Sequence, residues 1–432
     1  MKIVFFTAGA AGMYCGSCMH DNALARALTG RGHQCILQPL YTPIRTDDES
    51  VARDNVFFGG IHIYLLDRFP LLRFIPGPLR RILDFPPLLR FVTRRFQSTR
   101  AENLGHLTVS MLRGEDGPQA DEVHRLVDWL KTERPDAIIL TNLLIGGPLP
   151  NIRARLPKLC ILTLLQGDDI YLDHLPPPSQ QTSIELLQGL VQHVNHFVTY
   201  SRSYAESMSR RLRIPMDRIE VHPLSIALPP TVTPPSPTAR DEDNASIVRL
   251  GYMARFSPEK GFDRLVDAFI DLAPHHPTLH LHAAGYQSIE HRKFFDDQVR
   301  KLAAAGLLDR WVFHGEVSLH EKHAMLSSLD LLSVPTRYAD PKGIFVLEAW
   351  SVGTPVVMPD IGAFPELIGA SEAGLLFDND DPSSLAETIE QLLDDLKRRK
   401  QMSETARRWV RSRHGIDQAA IRMIDLIHRN LE

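Results

Sequence analysis

The chain has 432 residues, 44% of them hydrophobic and 23% charged, and a formal net charge of −4. That is a globular composition with length for two or three domains, and its near-neutral balance excludes nucleic acid as the main expected partner. No apolar stretch is long enough to span a bilayer, and four cysteines make no disulfide framework, so a reducing, cytoplasmic location is expected.

Met1 to Phe6 reads as the opening of a strand and not as a signal peptide, because its apolar run is short and soon meets glycines. Ile3 to Thr7 is continuously apolar, as in a strand buried on both faces. A loop with Gly9, Gly12 and Gly16 follows, then a helix over Asn22 to Thr29, the closure Gly30-Arg31-Gly32-His33, and a strand at Cys35 to Leu37. This is a Rossmann-like start whose glycines do not fit Gly-x-Gly-x-x-Gly. Cys15 and Cys18 lack the second pair that zinc needs. The loop is therefore read as small residues that let it approach a ligand, with a redox thiol as the alternative.

Between residues 68 and 96, arginines alternate with Phe and Leu. We read helices packed over a core with their charges solvated, and docking on an anionic membrane surface as the rival. A helix is predicted from Asp121 to Leu130, and strands at Ala137 to Leu140 and Cys160 to Leu165. The latter ends in Gln166-Gly167-Asp168-Asp169, polar residues at the strand edge where substrates bind; Asp168 reads equally as a turn cap. Phe197 to Tyr200 is a further strand, with Ser201 capping a helix that reaches Leu212. The proline-rich run from Leu228 to Asn244 is a linker or exposed loop. The expected division is 1–228, a linker at 229–245, 246–410, and a closing helix over 411–432 able to cross back to the first domain.

The pattern restarts with a strand over Ile247 to Ala254 and Arg255 at its end. Ser257 and Pro258 fit N-cap and N1 of a helix reaching Leu272, which puts Lys260 in its first turn. Such a pair of cations can neutralise a diphosphate leaving group, or simply face solvent. Strands at Leu279 to Ala283, Trp311 to His314 and Leu331 to Val334 follow. After a loop with Arg337, Tyr338, Asp340 and Lys342, a helix opens near Gly343 and stops at Gly353, before a strand at Pro355 to Met358. The first amides of that helix, at Gly343, Ile344 and Phe345, form a seat for a phosphate. Glu348, four residues after Ile344, shares its face and can accept hydrogen bonds from sugar hydroxyls, as can Asp340. Together they suggest a sugar nucleotide; the bland reading is a helix start whose acidic neighbours the dipole favours.

These residues resemble the retaining nucleotide-sugar glycosyltransferases of family 4, within the glycosyl transferases group 1. The resemblance rests on Arg255 and Lys260-Gly261, on Asp340-Pro341-Lys342-Gly343, Leu347-Glu348-Ala349 and Gly353-Thr354-Pro355-Val356-Val357, and on Asp360 to Glu366. The N-terminal glycine loop and Arg31-Gly32-His33 also match. It implies an α/β chain of two facing Rossmann-like domains, the GT-B fold, with an inter-domain active-site cleft. It implies transfer of a hexosyl group from a nucleoside-diphosphate sugar to the hydroxyl of a glycan, lipid-linked or small-molecule acceptor, with retention, and with no metal and no cofactor.

By the same resemblance, Arg255 and Lys260 would grip the pyrophosphate, Glu348 the ribose and Asp340 the sugar hydroxyls, and Gly16 would let its loop close on the donor or acceptor. The departures are Asp340 for Glu, Lys342 for Phe, Gln166 where many members carry His, and His222-Pro223 where Asn-Gly is usual. The rival functions are an epimerase or phosphorylase on a similar fold, and a sugar-nucleotide-binding protein without catalysis. The run at 68–96 allows a peripheral contact with the inner face of a membrane.

Overall fold

The structure, a computed structural model, describes residues 1–9, 16–44, 50–53, 56–58, 104–229 and 247–431. The arginine-rich run at 68–96, Cys15 and linker residues 230–245 lie outside the described residues. The chain divides into two compact units, Met1–His222 with Ile416–Glu432, and Pro223–Gly415.

The first unit is built on a parallel sheet of β1 (Lys2–Thr7), β2 (Gln34–Pro39), β3 (Ala137–Leu140), β4 (Cys160–Leu164), β5 (His196–Thr199) and β6 (Ile219–Val221). The order is β2-β1-β3-β4-β5-β6, so the chain winds outward in opposite directions from β1 and β3. Continuous apolar strands serve this arrangement because both faces are covered. Val4, Phe6, Ile138 and Leu140 enter one core, and Ile3, Phe5, Ala137 and Ile139 the other. The helix α1 (Gly16–Gly30) lies on the second face through Leu24, Ala25 and Leu28. The closing helix, Ile416–Leu431, lays Ala420, Met423, Leu426 and Ile427 into that same core, although it follows the second unit in sequence. A short helix α2 (Asp168–Asp173) starts just past the end of β4.

The second unit repeats the plan with β7 (Val248–Met253), β8 (Leu279–Ala284), β9 (Trp311–Gly315), β10 (Leu331–Ser333), β11 (Val356–Pro359) and β12 (Gly374–Phe377), ordered β12-β11-β10-β7-β8-β9 and parallel throughout. Its direction reverses between β7 and β10, and the ends of those strands carry the loops that matter below. The helices α3 (Phe262–Leu272), α4 (Leu319–Ser328) and α5 (Ile344–Val352) flank it. The helix predicted to start at Pro258 is corrected. Pro258–Lys260 is a single 3₁₀ turn, Gly261 breaks it at φ +71°, and the α-helix begins only at Phe262. A Cβ on Gly261 would lie 1.9 Å from the Pro335 carbonyl oxygen, so the chain must turn away there.

Among the described residues no helix is long and apolar enough to cross a membrane.

Candidate functional site

The loop between β10 and α5 folds back on the turn that follows β7. Arg337 makes this join, donating from its guanidinium to both carboxylate oxygens of Asp263 (2.8 and 2.7 Å) and from its backbone N–H to the Glu259 carbonyl (2.9 Å). Such bidentate pairing fixes geometry as well as charge. It holds the 3₁₀ turn, and therefore Lys260, over the loop that carries Asp340.

Asp340 is 6% exposed and accepts four hydrogen bonds. Its Oδ1 takes the backbone N–H groups of Lys342 (3.0 Å) and Gly343 (2.8 Å); its Oδ2 takes Lys260 Nζ (3.0 Å) and the Tyr338 hydroxyl (3.0 Å). Burial opposes its charge, yet Lys260 and the two amides outweigh burial, and the carboxyl pKa falls to about 2. Lys260 also donates to the Tyr338 hydroxyl, and its ammonium stands 4.8 Å from the Tyr338 ring centre and 5.3 Å from that of Phe345. Burial first, and then the charge of Asp340, push the Tyr338 phenol well above its ordinary range, so it stays a donor.

Gly343 is the N-cap of α5 at φ +67°, and Gly353 ends the helix at φ +88° as predicted. The expectation of three free amides is corrected: Asp340 takes that of Gly343. Among the described residues those of Ile344 and Phe345 have no acceptor. One turn further along α5, Glu348 accepts from Lys322 Nζ of α4 at 2.8 Å, and both side chains are largely buried. Arg255, on the loop after β7, is half-exposed and pairs with Glu259 at 3.3 Å. Thus Lys260, Asp340, Gly343, Ile344 and Phe345 form one cluster, with Glu348 on the same helix and Arg255 at the rim of the same turn.

The first unit gathers its own polar cluster at the carboxyl edge of its sheet. Gln166, just beyond β4, donates from Nε2 to Asp21 Oδ1 (3.2 Å) and to the carbonyl and hydroxyl of Thr141 (3.0 and 3.2 Å). The Thr141 hydroxyl donates in turn to Asp21. Asp168 opens α2 and accepts from the backbone of Leu143 (2.9 Å) and Gln166 (3.3 Å). Burial, aided by the neighbouring charge of Asp169, pushes its pKa up to about 7 against those two amides. Gly16 is the first residue of α1, and Cys18 is buried with Sγ 3.6 Å from the Thr7 hydroxyl. Among the described residues no group of three or more His, Cys, Asp or Glu side chains is placed to hold a metal.

Sequence reasoning gave no role to Tyr338, Lys322, Asp21 or Thr141. Tyr338 was in view as a loop residue. The polar run His20-Asp21-Asn22 was a usable signal, because it interrupts an otherwise apolar helix face and is buried. Nothing in the local sequence marks Lys322.

Residues 242–409 match the family model described as glycosyl transferases group 1. The lipopolysaccharide core biosynthesis mannosyltransferase LpsB of Rhizobium meliloti is 34% identical over 152 residues, which is 34% of this chain and 42% of that protein. The D-inositol 3-phosphate glycosyltransferase of Paenarthrobacter aurescens is 27% identical over 266 residues, covering 60% of this chain and 62% of its own. The matches span between 37% and 62% of the length of the first curated relatives. Among solved structures, HepE of Anabaena in complex with UDP superposes with a TM-score of 0.70 at 14% identity, covering 99% of this chain and 100% of that one. Sucrose-phosphate synthase from Thermosynechococcus elongatus gives 0.71 at 16% identity, covering 99% and 98%. These likenesses establish the fold class, two α/β units of the GT-B type.

Proposed function

We propose that this chain, whose residues 242–409 match the glycosyl transferases group 1 model, is a glycosyltransferase that moves a hexosyl group from a nucleoside-diphosphate sugar to an acceptor hydroxyl. The observation that carries the reading is the hydrogen-bond balance beside α5. An ammonium has three donors, and Lys260 commits two of them, to Asp340 and Tyr338. The third, together with the amides of Ile344 and Phe345 at the positive end of the helix, meets the needs of a diphosphate. Glu348 gives one carboxylate oxygen to Lys322 and keeps the other for a ribose hydroxyl. Arg255 is free of the buried network and exposed enough to swing from Glu259 onto the same anion.

In this reading the fixed cations and amides stabilise the departing diphosphate, as preorganised charges do at other anion sites. They supply the positive charge that a metal would, so protein treated with a chelator is expected to keep its transferase activity. The acceptor attacks from the face that the diphosphate leaves, retaining configuration; the anomeric signal of the product in NMR tests this. The names of the relatives include mannosyltransferases, one of them described as GDP-mannose-dependent. GDP-mannose is therefore the first donor to try, and UDP-glucose, with which HepE has been solved in complex, the second. Gln166 and Asp168 are proposed to line the substrate side of the first unit, Gly16 to let its loop close, and the working location to be cytoplasmic, peripheral to the membrane where the acceptor is lipid-linked.

The test is thermal shift of the wild type and Glu348→Ala against UDP, GDP, ADP and their hexose conjugates. Ligand at about 100 times its dissociation constant adds ~2.7 kcal/mol of stability. A shift with one nucleotide, weakened in the variant, is expected. The absence of any shift sinks the reading. Binding without hydrolysis or transfer would mark a sugar-nucleotide-binding protein.

A further inference from the structure

Asp340 occupies the position where the family resemblance implies a holder of sugar hydroxyls, and hydrogen-bond counting speaks against that role. An ionised carboxylate has about four lone-pair sites. Asp340 fills all of them from within the chain: two backbone amides on Oδ1, and Lys260 and Tyr338 on Oδ2. Tyr338 closes the ring, accepting from Lys260 while donating to Asp340. Every donor in this triangle is spent except one proton of Lys260. A sugar hydroxyl arriving at Asp340 would have to displace a charge-assisted bond or the amide that starts α5.

We infer that Asp340 is a positioning residue: its carboxylate is consumed in fixing Lys260 and the start of α5, and Lys260 is the group left to meet the anion. The inference deepens the transferase reading and rests on it for the identity of the anion. Replacement of the usual Glu by Asp then has a geometric purpose. The shorter side chain keeps its carboxylate within reach of the Lys342 and Gly343 amides two and three residues ahead, as Asp does in a turn. Tyr338 is a second positioning residue, through its bonds to both ends of the pair.

Asp340→Asn separates the two arms. The amide oxygen can still accept from Lys342 and Gly343, whereas the amide nitrogen faces the Lys260 ammonium donor to donor and ends its pairing with that position. Isothermal titration with UDP and UDP-glucose, and with GDP and GDP-mannose, reads the outcome. A positioning role predicts that Asp340→Asn weakens the free diphosphate and its sugar conjugate by the same factor, roughly tenfold or more. A sugar-contacting role predicts an unchanged diphosphate and a weakened conjugate, and that result overturns the inference. Tyr338→Phe, which keeps the ring over Lys260 and removes one hydroxyl, is expected to weaken both ligands equally by a smaller factor. No effect in that variant would likewise count against the hydrogen-bonded triangle.

Amine labelling of the ligand-free protein, read by mass spectrometry, supplies a measurement that needs no nucleotide. Lys260 is expected to react slowly in the wild type and faster in both variants, and equal rates would overturn its restraint by Asp340 and Tyr338. A wild type that binds no nucleotide yet shows this labelling pattern would defeat the transferase reading while supporting the positioning role.

Discussion

At Asp340 the sign of the pH effect follows from its partners. Its native pKa of about 2 lies below the ordinary value of 3.8, so the folded protein holds this proton less tightly than the unfolded chain. The contribution to stability is therefore complete above about pH 4 and lost as pH falls through about 2; it is on the order of 2 kcal/mol. Urea denaturation between pH 2 and 5 is expected to show a shallower acid limb in Asp340→Asn than in the wild type, and identical limbs would remove Lys260 and the amides as the cause. The sequence placed Asp340, Lys260 and Glu348 in one site because they sit near strand ends and at one helix start. It left the partners unread: Lys322 is 26 residues from Glu348 and Lys260 is 80 residues from Asp340.

For the elements, the parallel strands were legible because strands buried on both faces must be apolar runs. The boundary of α3 was not. Ser257 and Pro258 carry ordinary helix-start chemistry, but Gly261 adopts φ +71° against Pro335, a contact with another part of the chain. Gly261→Ala is expected to destabilise the second unit by about 1–3 kcal/mol or more, since a side chain there meets both a disfavoured backbone conformation and a carbonyl. It should also shift Lys260 and weaken diphosphate binding. Gly30→Ala is the control: a Cβ on Gly30 meets nothing within 4 Å, so a neutral or slightly stabilising change is expected. A Gly261→Ala protein as stable as the wild type in thermal denaturation would remove the steric explanation for the break.

At the scale of the whole molecule, the closing helix belongs to the unit built from the other end of the sequence. Leu426 and Ile427 are fully buried in the core that contains Ile3, Phe5 and Leu162. Leu426→Ala is expected to cost about 2–5 kcal/mol, as for other large-to-small core changes. Hydrogen exchange locates the loss: protection should fall in β1–β5 and remain in β7–β12. Equal losses in both sheets would mean that the units unfold as one.

What the sequence determined by itself is the two-fold repeat of the α/β plan and the loops that end at its strand edges. Apolar runs, glycine closures and helix starts are local features, set by residues within a few positions of one another. What only the tertiary structure decided is which polar groups face each other. Asp340 becomes saturated and Lys260 keeps one donor because Lys260, 80 residues away, joins three local donors, Tyr338, Lys342 and Gly343, on one buried carboxylate. Away from water the Lys260 ammonium must find its partner inside the protein, and proximity in space, not spacing along the chain, makes that assignment.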